Sequence, residues 1–196
     1  MNEGSFWERG YTVARSLADA RQLAFVRAAM TASQRIGRMR FATVVVPQGA
    51  LNEYAPIGAE ALLVQCRPAF EALTGRELLP AYAFWRIYQH GAELTRHVDR
   101  NACEVSASLP IYAEPEEHAW PIHVRDLHGE DTAVALHPGD AILYQGCRIP
   151  HWREPFAGQV QYQVFLHYVF KDGDKADFAF DRRESLRLHS SERADG

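Results

Sequence analysis

The sequence lacks the features that define several whole classes of protein. No apolar run is long enough to span a bilayer, and the first residues, Met1 to Ser5, have neither the basic nor the apolar region of a signal peptide. The formal net charge of −4 argues against a broad basic surface for nucleic acid. We therefore expect a protein that binds neither a membrane nor a nucleic acid.

Cysteine is also scarce. The three cysteines, Cys66, Cys103 and Cys147, are an odd number without paired spacing, so they indicate reduced thiols in a cytoplasmic protein rather than a disulfide framework. Cys103 and Cys147 fall in predicted strands, where packing in the core is the expected role.

Internal repeats and low-complexity linkers are absent as well. The length of 196 residues and a composition with 47% hydrophobic and 23% charged residues suit one globular domain. We assign residues 1–180 to that domain. From Lys171 the chain is charged and weakly periodic, and residues 181–196 are expected to form a flexible tail.

The first eighty residues mix strands and helices. Tyr11–Arg15 and Phe41–Val46 are predicted strands. Leu17–Ala32 has an apolar face at helical spacing, and Pro56–Leu73 predicts a second helix that stops near Thr74-Gly75.

After Pro80 the pattern becomes a series of short strands separated by turn residues. They are Tyr82–Tyr88, Glu93–Val98, Glu104–Tyr112, Trp120–Val124, Thr132–Leu136, Asp140–Tyr144, Cys147–Trp152 and Gln161–Val169. About eight consecutive short strands predict a mainly β fold, a double-stranded β-helix or jelly roll like that of cupins. The two preceding helices are expected to flank it on one outer face.

A metal-binding pattern lies within these strands. In His97-Val98-Asp99 the first and third side chains share one strand face, and His151 follows late in the strand series. Two histidines and one carboxylate form the facial triad of non-haem Fe(II) oxygenases, which leaves positions open for cosubstrate and oxygen. The His-x-acid spacing alone is weak, since His128-Gly129-Glu130 repeats it at an obvious turn.

The region from Pro80 to Tyr168 resembles bacterial 2-oxoglutarate/Fe(II) oxygenases of the prolyl-hydroxylase type. The matching segments include Arg96-His97-Val98-Asp99-Arg100, Pro138-Gly139-Asp140-Ala141, Pro150-His151-Trp152-Arg153-Glu154 and Gln163-Val164-Phe165-Leu166-His167-Tyr168. The resemblance implies the fold, iron ligation by His97, Asp99 and His151, and the use of Fe(II), 2-oxoglutarate and O2. It implies no particular substrate, which is expected to be a small molecule or a protein side chain.

One departure from that family concerns the cosubstrate. Its members usually carry Lys or Arg about ten residues after the last iron histidine, to hold the distal carboxylate of 2-oxoglutarate. Here that neighbourhood, residues 159–163, contains glutamines and no cation. Because a buried carboxylate without a cationic partner is costly, another arginine must substitute. Arg153 shares the strand face of His151 and is the first candidate, and Arg86 is the second. The alternatives are that Arg153 pairs with Glu154 or Asp140 at the barrel rim, and that Arg86 is exposed because its strand is rotated.

Other polar residues have two readings each. Tyr88, Ser106, Ser108 and Gln163 either donate hydrogen bonds to 2-oxoglutarate or satisfy one another in the barrel core. We also predict that Arg100, His167 and Trp152 face the substrate. The alternatives are a solvated charge for Arg100 and plain packing for Trp152.

The sequence thus favours a dioxygenase that hydroxylates a C–H bond and releases succinate and CO2, with His97, Asp99 and His151 as the catalytic iron ligands. A jelly-roll protein that binds a metal or a ligand without oxygenase activity is the alternative, and the missing downstream cation favours it. A metal hydrolase ranks last, because no general base is evident beside the ligands.

Overall fold

The structure is a computed structural model that describes residues 6–43, 46–116 and 119–183, with the side chains of residues 42–48 left out. The helices are α1 (Phe6–Arg9), α2 (Ala20–Arg35) and α3 (Ile57–Thr74), with 3-10 helices at Asn101–Cys103 and Ala176–Arg182. The strands are β1 (Tyr11–Ala14), β2 (Arg40–Thr43), β3 (Val46–Tyr54), β4 (Leu78–Gln89), β5 (Leu94–His97), β6 (Val105–Glu114), β7 (Ile122–Arg125), β8 (Asp131–Val134), β9 (Ala141–Tyr144), β10 (His151–Arg153) and β11 (Val160–Phe170).

The strands form two antiparallel sheets. The larger has seven strands in the order β1-β9-β6-β11-β4-β3-β2, and the smaller has four in the order β5-β10-β7-β8. The eight strands predicted after Pro80 correspond to β4 through β11, and the chain distributes them equally between the sheets. The predicted double-stranded β-helix is therefore confirmed.

Helices α2 and α3 cover the outer face of the larger sheet. In β4, Trp85 and Ile87 belong to the apolar cluster that contains Leu63 and Phe70 of α3. Each fully buried side chain of this size contributes about 1.5–3 kcal/mol relative to exposure. Because strand residues alternate between faces, the neighbouring even-numbered residues of β4 point into the space between the sheets, where the polar site lies.

Helix α2 begins three residues later than its apolar pattern predicted. Asp19 caps it: the backbone N–H of Gln22 donates to Oδ1 of Asp19 at 2.9 Å, and the Asp19 N–H donates to Oε1 of Gln22 at 2.8 Å. This reciprocal capping box sets the helix start more strongly than the apolar Leu17 upstream of it. Helix α3 ends next to Gly75, whose φ of 67° is the left-handed conformation typical of helix ends.

The predicted strand at Phe41–Val46 is only partly right. Strand β2 ends at Thr43, residues 44–45 lie outside the described residues, and a second strand begins at Val46. Strand β3 was missed because its sequence contains proline and glycine, which are depleted in strands. Its pairing with β4, for example Asn52 opposite Arg86, outweighs that local preference.

Two further predictions need correction. Cys103 lies in a 3-10 helix and Cys147 in a turn, so neither is in a strand, although all three cysteines are free thiols. The C-terminal 3-10 helix runs to Arg182, and Asp181 pairs with Arg100, so the first residues of the predicted tail contact the domain. Residues 184–196 lie outside the described part of the chain.

None of the described helices combines the length and the apolarity needed to cross a membrane.

Candidate metal centre and cosubstrate cavity

Two strands of the smaller sheet bring the three predicted metal ligands together. In the antiparallel pairing of β5 with β10, His97 lies directly opposite His151. Oδ1 of Asp99 lies 3.6 Å from Nε2 of His97 and 3.5 Å from Nε2 of His151. One ligand atom from each residue lies within 4.8 Å of the other two, so the three atoms can share one ion.

Both imidazole rings are held in the orientation that a metal ligand requires. Nδ1 of His97 lies 2.7 Å from the carbonyl oxygen of Thr95, and Nδ1 of His151 lies 3.2 Å from that of Ile149. A backbone carbonyl can only accept, so Nδ1 carries the proton in each ring. The lone pair of each Nε2 is then free for the metal.

The carboxylate of Asp99 is equally constrained. Its backbone N–H donates to the carbonyl oxygen of Gly146 at 2.8 Å, and its Oδ2 accepts from the hydroxyl of Ser106 at 2.8 Å. A Cβ at Gly146 would approach Asp99 Oδ2 to 2.5 Å, so only glycine leaves room for this arrangement. Oδ1 therefore remains the atom that faces the two histidines.

The charge state of this cluster also suits a cation. Burial alone would raise the pKa of Asp99, but the His151 imidazole and hydrogen bonds to His151 and His97 hold it well below its usual range. The carboxylate is therefore ionised at neutral pH. The side chain of His151 is 2% exposed, whereas those of His97 and Asp99 are 19% and 15% exposed. The centre is thus approached from the His97 side, and two imidazoles with one carboxylate fit Fe(II) with open positions.

A cavity of about 150 Å³ adjoins the three ligands. Residues of both sheets line it: Tyr82, Phe84, Arg86, Leu94, His97, Asp99, Tyr144, His151, Phe165 and His167. The apolar members surround the ligands and limit the access of water, while Arg86 provides its one cationic wall.

Arg153 lies beside this cavity and is almost completely buried. It points inward like His151, and its guanidinium lies 4.8 Å from the centre of the Trp120 ring and donates to the Trp120 carbonyl oxygen. Its Nε has no hydrogen-bond partner among the residues that the structure describes. Burial lowers the pKa of Arg153 to about 10, so the group remains cationic. Neither Glu154 nor Asp140 pairs with it, and the described residues supply it with no carboxylate.

Arg86 is a second buried cation. Its Nε donates to the side-chain oxygen of Asn52, and its Nη1 donates to the hydroxyl of Tyr88 at 2.9 Å. Both partners are neutral, and within residues 6–43, 46–116 and 119–183 no acidic side chain pairs with Arg86. Tyr88 is fully buried and packs edge-on against Trp120, so it lies between the two arginines.

Ser108 and Gln163 satisfy each other, as their second reading predicted. The amide nitrogen of Gln163 donates to Ser108 Oγ at 2.9 Å, and its amide oxygen accepts from Gln161 at 2.8 Å. Both side chains are completely buried and neither lines the cavity. They are neighbours of the site rather than part of its open surface.

His167 does face the cavity. Its Nδ1 lies 3.0 Å from Ser106 Oγ, and its ring lies against Tyr82, 4.6 Å between centroids. Since the Ser106 proton is donated to Asp99, Nδ1 of His167 is the donor in this pair. Burial lowers the pKa of His167 to about 4, so the imidazole is neutral at neutral pH. Asp99, Cys103 and His167 form a second cluster of potential ligands.

The other two residues predicted to face the substrate lie elsewhere. The prediction that Trp152 faces the substrate is wrong. Strand alternation turns its side chain away from that of His151, and it stacks on His123 outside the barrel. Arg100 lies outside the cavity lining, over the Tyr82 ring, and its guanidinium is paired with both oxygens of Asp181 at 2.6 and 2.8 Å. Its charge is thereby neutralised by the chain itself.

Some contacts at the site had no signal in the sequence. Ser106 precedes Ser108 by two residues on one strand face, and both were predicted as possible donors to 2-oxoglutarate, but the bond from Ser106 to Asp99 could not be predicted. Tyr82 likewise shares a face with Arg86. Asp181 carried no signal at all, since its contact with Arg100 joins positions 81 residues apart.

Comparisons with known proteins bear on the fold. No family model and no curated protein sequence matches the chain. Among solved structures, a Pseudomonas putida prolyl-4-hydroxylase matches with 16% identity and a TM-score of 0.66, over 84% of this chain and 94% of that one. A Trichoplax adhaerens prolyl hydroxylase, in complex with a peptide fragment of the hypoxia-inducible factor oxygen degradation domain, matches with 13% identity and a TM-score of 0.71, over 88% of each chain.

A third similar structure is the non-haem α-ketoglutarate-dependent epimerase SnoN from nogalamycin biosynthesis. It has 13% identity and a TM-score of 0.71, over 84% of this chain and 79% of that one. At such identities the likeness establishes the fold, which is the fold of 2-oxoglutarate/Fe(II) oxygenases. The resemblance found in the sequence is thus confirmed at the level of the fold.

Proposed function

We propose that this protein is an Fe(II)- and 2-oxoglutarate-dependent dioxygenase that hydroxylates a C–H bond and releases succinate and CO2. The observation that carries the proposal is the convergence of His97 Nε2, His151 Nε2 and Asp99 Oδ1 on one point. A donor set of two imidazoles and one carboxylate is characteristic of non-haem Fe(II) oxygenases, and the surrounding fold is the one those enzymes use.

The residues around the metal centre have separate tasks in the proposed reaction. His97, Asp99 and His151 hold the metal by three atoms and leave its other positions open, and Ser106 keeps the second oxygen of Asp99 engaged. Bound Fe(II) and 2-oxoglutarate supply the oxidising chemistry together with O2. Phe84, Phe165 and the other apolar side chains of the cavity exclude water from the reacting groups.

Arg153 is the proposed partner of the distal carboxylate of 2-oxoglutarate. A buried guanidinium with an unpartnered Nε and no acid nearby is a site that a carboxylate completes. Tyr88 bonds to Arg86 and packs on the Trp120 ring that lies beside Arg153, so it is a proposed hydrogen-bond donor to the cosubstrate. Ser108 and Gln163 remain proposed neighbours of the cosubstrate, although they bond to each other. Arg86 remains the competing assignment, because it lines the cavity directly.

The substrate class follows less directly from the fold. The similar structures include one with a protein fragment bound and one with iron, α-ketoglutarate and nogalamycin RO bound. We therefore propose a small molecule or a protein side chain as substrate. We also propose that residues 1–180 form the single domain that carries out the reaction. His167 lines the cavity and remains a candidate for contact with the substrate, whereas Arg100 is paired with Asp181.

Anaerobic reconstitution tests the function. The wild-type protein with Fe(II) and 2-oxoglutarate should show the weak visible charge-transfer band of a chelated 2-oxoacid, and His97→Ala should lose it. Succinate release in air should then be screened for stimulation by candidate substrates. If the wild-type protein binds iron but neither shows the band nor binds 2-oxoglutarate, the proposal fails and a metal-binding jelly-roll protein without oxygenase activity replaces it.

A further inference from the structure

The interior holds one more cation than the proposed reaction accounts for. Arg86 and Arg153 are both buried, at 5% and 2% exposure, and neither is paired with an acid among the described residues. Arginine stays protonated in proteins, so each of these groups is a buried positive charge. A buried charge without a partner is costly, which indicates that each is completed by a ligand.

Charge counting shows what the cosubstrate leaves uncompensated. A ferrous ion ligated by Asp99 and two neutral histidines has one net positive charge, and 2-oxoglutarate brings two negative charges. Arg153 makes this assembly neutral. Arg86 then leaves one positive charge in a largely desolvated cavity, and Asn52 and Tyr88, its hydrogen-bond partners, cannot neutralise it.

Arg86 and Arg153 lie at different positions relative to the cavity, so the two arginines can bind different ligands. Arg86 is part of the cavity wall together with the metal ligands and Phe84, whereas Arg153 is not. Phe84 also lines an outer groove beside the cavity, whose other lining residues are Arg38, Arg40, Asn52, Glu53 and Tyr54. Asn52 contacts Arg86 from that side, so Arg86 lies between the metal centre and the groove.

The groove itself is cationic. Arg38 is paired with Glu53, whereas among the described residues the exposed side chain of Arg40 donates to the backbone carbonyls of Gly37 and Met39 and to no acid. Its charge is therefore uncompensated within the part of the chain that the structure describes. Cationic walls raise the local concentration of anions and steer them inward.

We propose that Arg86 binds an anionic group, of the carboxylate class, on the primary substrate. The groove beside Phe84 and Asn52 is the route by which that group enters. The inference rests on the proposed function and names the substrate class of the same site: a compound with a carboxylate placed so that a C–H bond reaches the metal.

The test uses the anaerobic holoenzyme with Fe(II) and 2-oxoglutarate bound. Acetate and benzoate are titrated by calorimetry, each beside its neutral amide, acetamide or benzamide. Wild-type protein should bind the carboxylates at least about tenfold more tightly than the amides, equivalent to about 1.4 kcal/mol. Arg86→Met should abolish this preference and change the affinity for 2-oxoglutarate by less than about threefold, which is about 0.7 kcal/mol.

Two further variants complete the design. Arg86→Lys keeps the charge but loses the planar fork, so it should retain part of the carboxylate preference. Arg96→Met removes an exposed arginine that stacks on Trp152 outside the barrel, and it should behave like wild type.

Each other outcome overturns the inference. If wild-type holoenzyme shows no preference for carboxylates over amides, Arg86 does not bind an anion there. If Arg86→Met weakens 2-oxoglutarate binding by more than about threefold, Arg86 belongs to the cosubstrate instead, and the proposed function stands. If wild-type protein binds no 2-oxoglutarate, the proposed function and the inference fall together.

Discussion

The two ends of the interior differ in how their charged side chains are paired. At the metal end, His97, Asp99 and His151 face one another: Oδ1 of Asp99 faces both imidazoles, and Oδ2 accepts a hydrogen bond from Ser106. At the other end, Arg86 and Arg153 are buried, and their hydrogen-bond partners among the described residues are neutral. The first end is organised by contacts within the chain, whereas the proposed function and the inference about Arg86 have the second end completed by bound anions.

Removing a metal ligand should have the largest effect, and it tests directly whether the metal end is organised as described. His151→Ala deletes one of three ligand atoms and leaves the Oδ1 of Asp99 without one of its two imidazole partners. We expect loss of the 2-oxoglutarate charge-transfer band and of succinate formation. Anaerobic Fe(II) titration measures this directly, and a variant that binds iron and turns over normally would remove His151 from the centre.

Removing Arg153 should have the next largest effect. A charge-assisted pair in a desolvated site contributes about 2–4 kcal/mol, so Arg153→Ala should raise the KM for 2-oxoglutarate about thirty-fold to several-hundred-fold. Arg153→Lys should recover part of this, because lysine keeps the charge but lacks the fork. Steady-state kinetics at varied 2-oxoglutarate checks it, and a change below about twofold contradicts the assignment.

Ser106 offers a smaller perturbation that sharpens the description of the metal end. Ser106→Ala removes the donor to Asp99 Oδ2 and frees the carboxylate to rotate, so Fe(II) affinity should fall about tenfold to a hundredfold, the usual cost of losing such a partner. Calorimetric titration with Co(II) in the absence of 2-oxoglutarate measures it. Ser108→Ala, on the same strand face but bonded to Gln163, is the matched control and should retain wild-type metal affinity.

The smallest expected effect distinguishes the two arginines. Arg86→Ala should change the KM for 2-oxoglutarate by less than about threefold, because its proposed ligand is the substrate, and threefold corresponds to about 0.7 kcal/mol. The same kinetic assay applied to Arg153→Ala provides the comparison. Equal damage in the two variants would mean that both arginines hold one carboxylate and that the arginine end contains a single anion site.

Much of this arrangement was predictable from local patterns. The period-two spacing of His97 and Asp99, the turn residues between strands and the apolar faces of the two helices led to the jelly roll and to the candidate ligands. The same alternation predicted that Arg153 and His151 point to one side. It should also have excluded Trp152, which lies between them in β10 and must point to the opposite face.

The errors have a common physical origin in contacts between distant parts of the chain. Strand β3 has a poor strand sequence and forms because β2 and β4 pair with it. Arg100 had the charge to meet a substrate, but Asp181 reaches it from the C-terminal 3-10 helix. Local propensity is a weak prior where such pairings supply the stabilising energy.

By itself the sequence determined the fold class and which side chains are available for a metal, because the strand period and the order of turns are local properties. Only the tertiary structure decided which groups are paired and which are left without a partner. Arg153 and Arg86 look alike in sequence, as do Arg96 and Arg100. Burial without an acidic partner among the described residues distinguishes Arg153 and Arg86 from Arg96 and Arg100. The free-energy cost of an isolated charge depends on all the neighbours that the fold brings around it.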